Sequence, residues 1–336
     1  MRRALLGTAL LSTVLVASPA YAWFDGGHME IAYLGYMKLN PTARAAADTL
    51  LMRNPDYCSW VLGTPDNLKG AVAFMQASVW ADKIKDRSDY TNDLPTGATP
   101  GTDTGGYTDK NMHKYWHFRD MGFSTDGTNV PGPDPANIDT QLKAFIADIK
   151  SGSGQSADVR SYELTWFLHL IGDAHQPMHT ISRFAKTDQK PGGDIGGNTE
   201  VVVPATGLET ALHYYWDDMF GGYVTPVGAI NDIKYTTHLD KVEVNAAEAG
   251  NLDPDHWLDV SRKLAYDFGY AEPVLSTPVD PTTHVEKVRL TDDYEMNAYK
   301  KGYEQAGLAY SRLGNVLNQQ LTGNEDPLDP KCGASK

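Results

Sequence analysis

The segment Phe167-Leu168-His169-Leu170-Ile171-Gly172-Asp173-Ala174-His175-Gln176-Pro177-Met178-His179 constrains the fold of this chain more than any other. His169 and Asp173 are four apart, so a helix projects both from one face. Pro177 disfavours continuing that helix, which lets His179 turn back toward the same region. The spacing recurs in Leu212-His213-Tyr214-Tyr215-Trp216-Asp217, where His213 and Asp217 form a second pair. One such pair alone is more often a surface hydrogen bond than a metal site. Two in one chain are a scaffold for divalent ions, and imidazole with carboxylate ligation suits zinc. Only Cys58 and Cys332 are cysteines, which excludes a thiolate-rich site. In an oxidising compartment those two form one disulfide or stay as free thiols.

The start of the chain adds candidates. Residues 1–22 read as a secretory signal: Arg2 and Arg3, an apolar stretch from Ala4 to Ala17, then Ala20-Tyr21-Ala22. The small residues place the cut before Trp23. A cut there frees the α-amine of Trp23, which with its own carbonyl can chelate a metal, and His28 follows five residues later. Ser78-Val79-Trp80-Ala81-Asp82-Lys83-Ile84-Lys85 sets Asp82 near a helix end, and Tyr115-Trp116-His117-Phe118-Arg119-Asp120 sets His117 after a polar loop. The other five histidines, His113, His175, His238, His256 and His284, read as structural or solvent-exposed.

The chain has 336 residues and a formal charge of −14. The two leader arginines leave the remainder more acidic still. That argues against charge-driven binding of duplex nucleic acid or anionic membrane. Bound cations would reverse the field locally, so a polyanionic substrate stays open. Beyond the leader no apolar run approaches the ~18 residues of a membrane span. The product is expected to be exported, secreted or periplasmic, and monomeric, with no stable protein partner.

Periodicity predicts helices over 27–39, from Pro41 through 43–51, and over 70–84, 139–151, 158–174, 207–220, 238–249, 255–272 and 293–321. Polar loops cover 86–110 and 121–136, and Thr199–Val203 is the best strand candidate. No repeat or linker interrupts the pattern, so one α-helical domain over 23–321 is expected, with a flexible tail over 322–336.

With these residues in hand, the chain resembles the S1/P1 nucleases, zinc-dependent phosphodiesterases related to the bacterial zinc phospholipases C. The likeness runs from Trp23 to Asn318. Its marks are Trp23 with His28, Trp-Ala-Asp, Trp-His-Phe-x-x-Asp, Gly-Asp-x-His-Gln-Pro-x-His, Gly192-Gly193-Asp194-x-Gly196-Gly197-Asn198, Leu-His-x-x-Trp-Asp and a late Ala-Gly-x-x-x-x-Arg-Leu. It implies a mainly α-helical single domain with a short β-hairpin and long loops. It implies three zinc ions: one on Asp82, His117, His169 and Asp173; one on Trp23, His28 and Asp173; one on His179, His213 and Asp217. A hydroxide shared by two zincs would attack the phosphorus, oriented by Asp120, with Lys85 at the phosphate. Phe118 would stack a base, which favours single-stranded DNA and RNA, and Asn198 would contact substrate. Products would be 5′-mononucleotides, with 3′-nucleotidase activity beside. Phe24, Lys85 and Ala211 depart from the family pattern, where glycine, arginine and asparagine are usual, and the span from His179 to His213 is longer than in fungal members.

Two other readings compete. A zinc phospholipase C shares the cluster, although the Trp23-to-His28 spacing and Asp217 favour the nuclease. A non-enzymatic zinc protein would keep the ligands while Asp120 and a base pocket were dispensable.

Overall fold

The computed structural model describes residues 23–95, 105–186, 193–220, 223–277, 287–326, 328, 330 and 332. The leader, Lys190, Gly192 and His284 lie outside these residues. Among them run α1 (Asp25–Met37), α2 (Pro41–Leu51), α3 (Tyr57–Trp60), α4 (Lys69–Lys83), α5 (Ile138–Asp148), α6 (Ala157–Asp173), α7 (Leu212–Asp217), α8 (Pro226–Asp232), α9 (Ala246–Gly250), α10 (Pro254–Leu264) and α11 (Asp292–Gln320). The strands are short: β1 (Met121–Phe123), β2 (Ile181–Arg183), β3 (Val201–Val203), β4 (Thr210–Ala211) and β5 (Val288–Arg289). No helix among the described residues is long and apolar enough to cross a membrane.

The centre of the domain is α6, and its sequence says why. Ser156 caps it by accepting from the Val159 amide, which satisfies one of the donors a helix start leaves free. Every residue from Arg160 to Asp173 is buried. A helix without a polar face belongs inside a protein, and α4, α5 and α2 surround it. In turn α1 lies against α4 and α11. Pro41 sits at the first turn of α2, whose cap is Asn40, as its fixed φ favours. Around this frame the buried aromatics Trp23, Trp80, Trp116, Trp166, Trp216 and Trp257 join one continuous core.

The late Ala306-Gly307 to Arg312-Leu313 motif explains itself here. Arg312 on α11 is fully buried. Its guanidinium donates to His175 Nε2 at 2.8 Å and to the Glu248 carbonyl at 3.1 Å. His175 donates from Nδ1 to the Ile171 carbonyl at 2.7 Å, so its other nitrogen is a free acceptor. The pair therefore holds the bend between Asp173 and His179. Burial and then Arg312 keep His175 well below its ordinary pKa.

Two regions depart from the expected helices. Residues 207–220 hold β4 before the single-turn-plus α7. β3 pairs antiparallel with β4, Val201 opposite Ala211, and parallel with β5, Val202 opposite Val288. The expected helix at 238–249 begins only at Ala246, because Asn245 caps it by accepting from the Ala247 and Glu248 amides. The chain before it makes a 3-10 turn at Leu239–Lys241. The loop expected at 121–136 opens with β1, which pairs parallel with β2, Met121 opposite Ile181 and Phe123 opposite Arg183.

The end of the chain has neither helix nor strand over 322–326, yet it is tied down. Glu325 makes a two-pronged ion pair with the buried Arg160 at 2.7 and 2.8 Å. Cys332 is bonded to Cys58, 274 residues away, which resolves the open question of the two thiols.

Candidate metal centre

Four separate pieces of chain meet at one place. α6 ends in His169 and Asp173, and α4 ends with Asp82. A 3-10 turn, Lys114–His117, presents His117, and α1 presents His28. All five are essentially fully buried. Among the described residues, His28, Asp82 and His169 place ligand atoms within 4.8 Å of one another, as do His117, His169 and Asp173. Sharing His169, the two groups merge into one pocket. Asp173 lies at its centre: Oδ2 is 2.9 Å from His117 Nδ1 and 3.2 Å from His169 Nε2, while Oδ1 is 3.3 Å from His28 Nε2. The last pair lacks hydrogen-bond alignment, since both atoms have no hydrogen-bond partner. Gly172 makes this packing possible. A Cβ there would stand 2.6 Å from His28 Nδ1.

A third group joins His179, on the 3-10 turn Pro177–Thr180, to His213 and Asp217 of α7. Helical spacing brings His213 Nε2 within 3.7 Å of Asp217 Oδ2. β1 and β2 dock His179 beside His117: the Arg119 amide donates to the His179 carbonyl at 2.8 Å, and His179 Nδ1 donates to the His117 carbonyl at 2.7 Å.

The outer contacts fix which ring nitrogens face inward. His169 Nδ1 donates to the Ser78 carbonyl at 2.7 Å and His213 Nδ1 to the Gly196 carbonyl at 2.8 Å. A carbonyl can only accept, so Nδ1 carries the proton in His169, His179 and His213 and Nε2 is left as a lone pair. Gly196 has φ +62°, and a Cβ on it would lie 2.6 Å from the Met178 carbonyl and 3.1 Å from His213 Nδ1. Only glycine serves there.

The inward ring nitrogens crowd one another. His179 Nε2 and His213 Nε2 are 3.1 Å apart, and His169 Nε2 and His117 Nδ1 are 3.0 Å apart. The His179–His213 contact has no proton to share if both rings are neutral. Asp217 Oδ2 beside them has no partner either. Cations would satisfy every one of these atoms, so the donor set fits divalent metal. Burial is the largest influence on how these groups titrate. Burial, then Lys85, pushes His117 down to about 3, and burial, then His179, does the same for His213. Burial drives Asp217 well above the carboxylate range. Burial would raise Asp82 too, but Lys85, His169 and His117 outweigh it and hold it low.

Over the group lies a cleft of about 290 Å³ lined by Lys85, Lys114, His117, Phe118, Asp120, Met178, His179, Ile195, Asn198 and His213. It gathers Phe118, Lys85, Asp120 and Asn198, all picked from sequence. Lys85 Nζ is 2.6 Å from Asp82 Oδ1. Burial, then Asp194 and Asp134, raises Asp120 well above its usual range. Asn198 is braced by its own Nδ2 donating to the Ile195 carbonyl at 2.7 Å.

Sequence reasoning missed Ile195. This β-branched residue has φ +56° and is 44% exposed, a strained setting of the kind held at functional sites. Its place inside the glycine run was the available signal. Lys114 was missed as well. Trp23 is fully buried, its indole donating to the Gly172 carbonyl at 3.1 Å, one residue from Asp173. Of the five histidines set aside, His113 and His175 are buried, His256 pairs with Glu248 at 2.7 Å and His238 is exposed.

The chain is similar in sequence to plant endonucleases. Endonuclease 2 of Arabidopsis thaliana is 23% identical over 91% of this chain and 93% of its own length. Endonuclease 5 and Endonuclease 3 of the same plant are 24% and 25% identical over 60% and 63% of this chain, and 56% and 58% of their own lengths. Residues 23–322 match the S1/P1 nuclease family along their whole length, and the chain belongs to that family of nuclease hydrolases.

Proposed function

We propose that this protein is an exported, monomeric, zinc-dependent phosphodiesterase that hydrolyses single-stranded DNA and RNA to 5′-mononucleotides, with 3′-nucleotidase activity. The observation that carries the proposal is the pair of confronting imidazoles at the floor of a cleft walled by an aromatic ring, a lysine and a carboxyl group. Asp82, His117, His169 and Asp173 would hold one ion. His28, Asp173 and the amine and carbonyl of Trp23, freed by removal of residues 1–22, would hold a second. His179, His213 and Asp217 would hold the third. Zinc bound there supplies a water-derived nucleophile at neutral pH and neutralises phosphate charge.

The chain's own residues do the rest. Phe118 offers a face on which an unpaired base stacks, with Ile195 and Asn198 at the same cleft. Lys85 binds a phosphate oxygen as a point charge, without the fork an arginine would bring. Asp120 accepts a hydrogen bond from the attacking water and orients it.

Metal analysis of the mature protein, with product identification from a short single-stranded oligonucleotide, tests the proposal. About three zincs per chain and 5′-phosphate products are expected. Hydrolysis of phosphatidylcholine without release of mononucleotides would instead mark a phospholipase C. One zinc or fewer with full activity would refute the mechanism.

A further inference from the structure

A phosphodiester carries a nucleoside on each side, and the function proposed above places one of them on Phe118 in the cleft. Its lining includes His213 yet no residue of α1 and neither of two aromatic rings just beyond. Those rings are Phe24 and Tyr214. They meet edge to face, centroids 4.5 Å apart at 68°. Phe24 is tied to the metal group directly: its amide donates to the Asp217 carbonyl at 3.2 Å. Tyr214 follows His213 on α7 and, with the helix turning His213 and Asp217 inward, the residue is 42% exposed. Phe24 is half-buried. The two rings thus form an aromatic step beside the His179–His213–Asp217 group, and Phe118 lies in the cleft lined by His179 and His213.

We infer that Phe24 and Tyr214 form a second base platform, which takes the base across the scissile phosphate from Phe118. This rests on the nuclease reading above. The occupant is an unpaired base because the platform is a π-face with no charged group in the pair, and stacking is tolerant of base identity. A base held here and one held at Phe118 would stretch a dinucleotide across the metal group. Placing both flanking nucleosides is how remote binding energy aligns a reacting bond. Phe24 then reads as a specificity residue favouring polynucleotides over mononucleotides.

The experiment measures kcat and KM for a dinucleoside monophosphate and for its two abasic counterparts, each lacking one base. For wild-type protein KM should rise on removal of either base. Phe24→Ala with Tyr214→Ala should raise KM on the full dinucleotide ten- to a hundredfold, the size of one stacked base. That variant should be indifferent to loss of one base and still sensitive to loss of the other. Phe118→Ala should show the opposite pattern, and Phe24→Trp should restore the platform. Zinc content is read alongside. Equal penalties on all three substrates, an unaltered KM on the dinucleotide, or loss of zinc with failure of Phe24→Trp to rescue would overturn the platform. If wild-type protein cleaves none of the three, the nuclease reading falls and the platform with it. Cleavage with the double variant behaving as wild type sinks the platform alone.

Discussion

Gly172→Ala is the smallest change that should dismantle part of the centre while sparing the fold. The new Cβ would lie 2.6 Å from His28 Nδ1 and 2.8 Å from Cε1, where ordinary contact begins at 3.4 Å. The ring must retreat by about 0.8 Å. It cannot tilt freely, because it stacks on His169 with centroids 4.1 Å apart. Metal–ligand distances tolerate about 0.2 Å, so the displacement is several times what the site can absorb. Disturbing only an outer contact of a ligand typically costs about 10–100-fold in affinity. Moving the ligand itself should cost at least about 100-fold. Stability moves little: alanine gains about 1 kcal/mol over glycine in a helix, and overpacking costs about 1–3 kcal/mol. The net loss stays within about 2 kcal/mol. Competition titration with zinc, beside circular dichroism, reads both quantities. A folded variant with one weakened zinc is expected, the His179–His213–Asp217 group being untouched. Full zinc affinity at every site would refute the placement of His28 as a ligand.

Other outcomes follow from the same contacts. A variant whose processing leaves Ala22 ahead of Trp23 should fold but lose activity and one zinc; an unchanged rate would exclude a chelating terminus. Cys332→Ser should cost about 2–5 kcal/mol of unfolding free energy, since the bond closes a loop of 274 residues; equal denaturation midpoints under oxidising conditions would contradict this. Arg312→Met strands the buried His175 Nε2, whereas the Glu248 carbonyl keeps the Asn251 amide as a donor, and should cost about 1–3 kcal/mol for the one group left unsatisfied, measured by urea unfolding. Burial, opposed by the Tyr36 hydroxyl and Arg44, pushes Asp48 up to about 6 from 3.8. The native state therefore holds this proton more tightly than the unfolded chain. The advantage is complete below pH 3.8 and is lost as pH rises through about 6. Wild-type stability should fall relative to Asp48→Asn across that window; parallel pH curves would refute the assignment.

The candidate ligands stand out in sequence because helical periodicity is local: His169 with Asp173 and His213 with Asp217 need only a spacing of four residues each. α1, α2, α4, α6 and α11 were legible for the same reason. What brings His117 to His179 was not. It is a three-residue parallel pairing of Met121–Phe123 with Ile181–Arg183, too short to show alternation and dictated by partners sixty residues apart. Of the helix expected over 238–249 only the part from Ala246 forms, because the cap at Asn245 starts it there. The tether of Glu325 to Arg160 has no local signal at all, being a contact between distant charges.

The hydrogen bond from His179 to the carbonyl of His117 has a consequence for how such a site can be moved or remade. The two candidate groups share one supporting scaffold at this contact, so neither is a cassette. Transplanting the His169-to-Asp173 helix onto another protein would carry two ligands and leave behind the strand pairing that aims the rest. Conversely, a change that displaced the backbone at His117 or His179 would loosen both candidate groups at once.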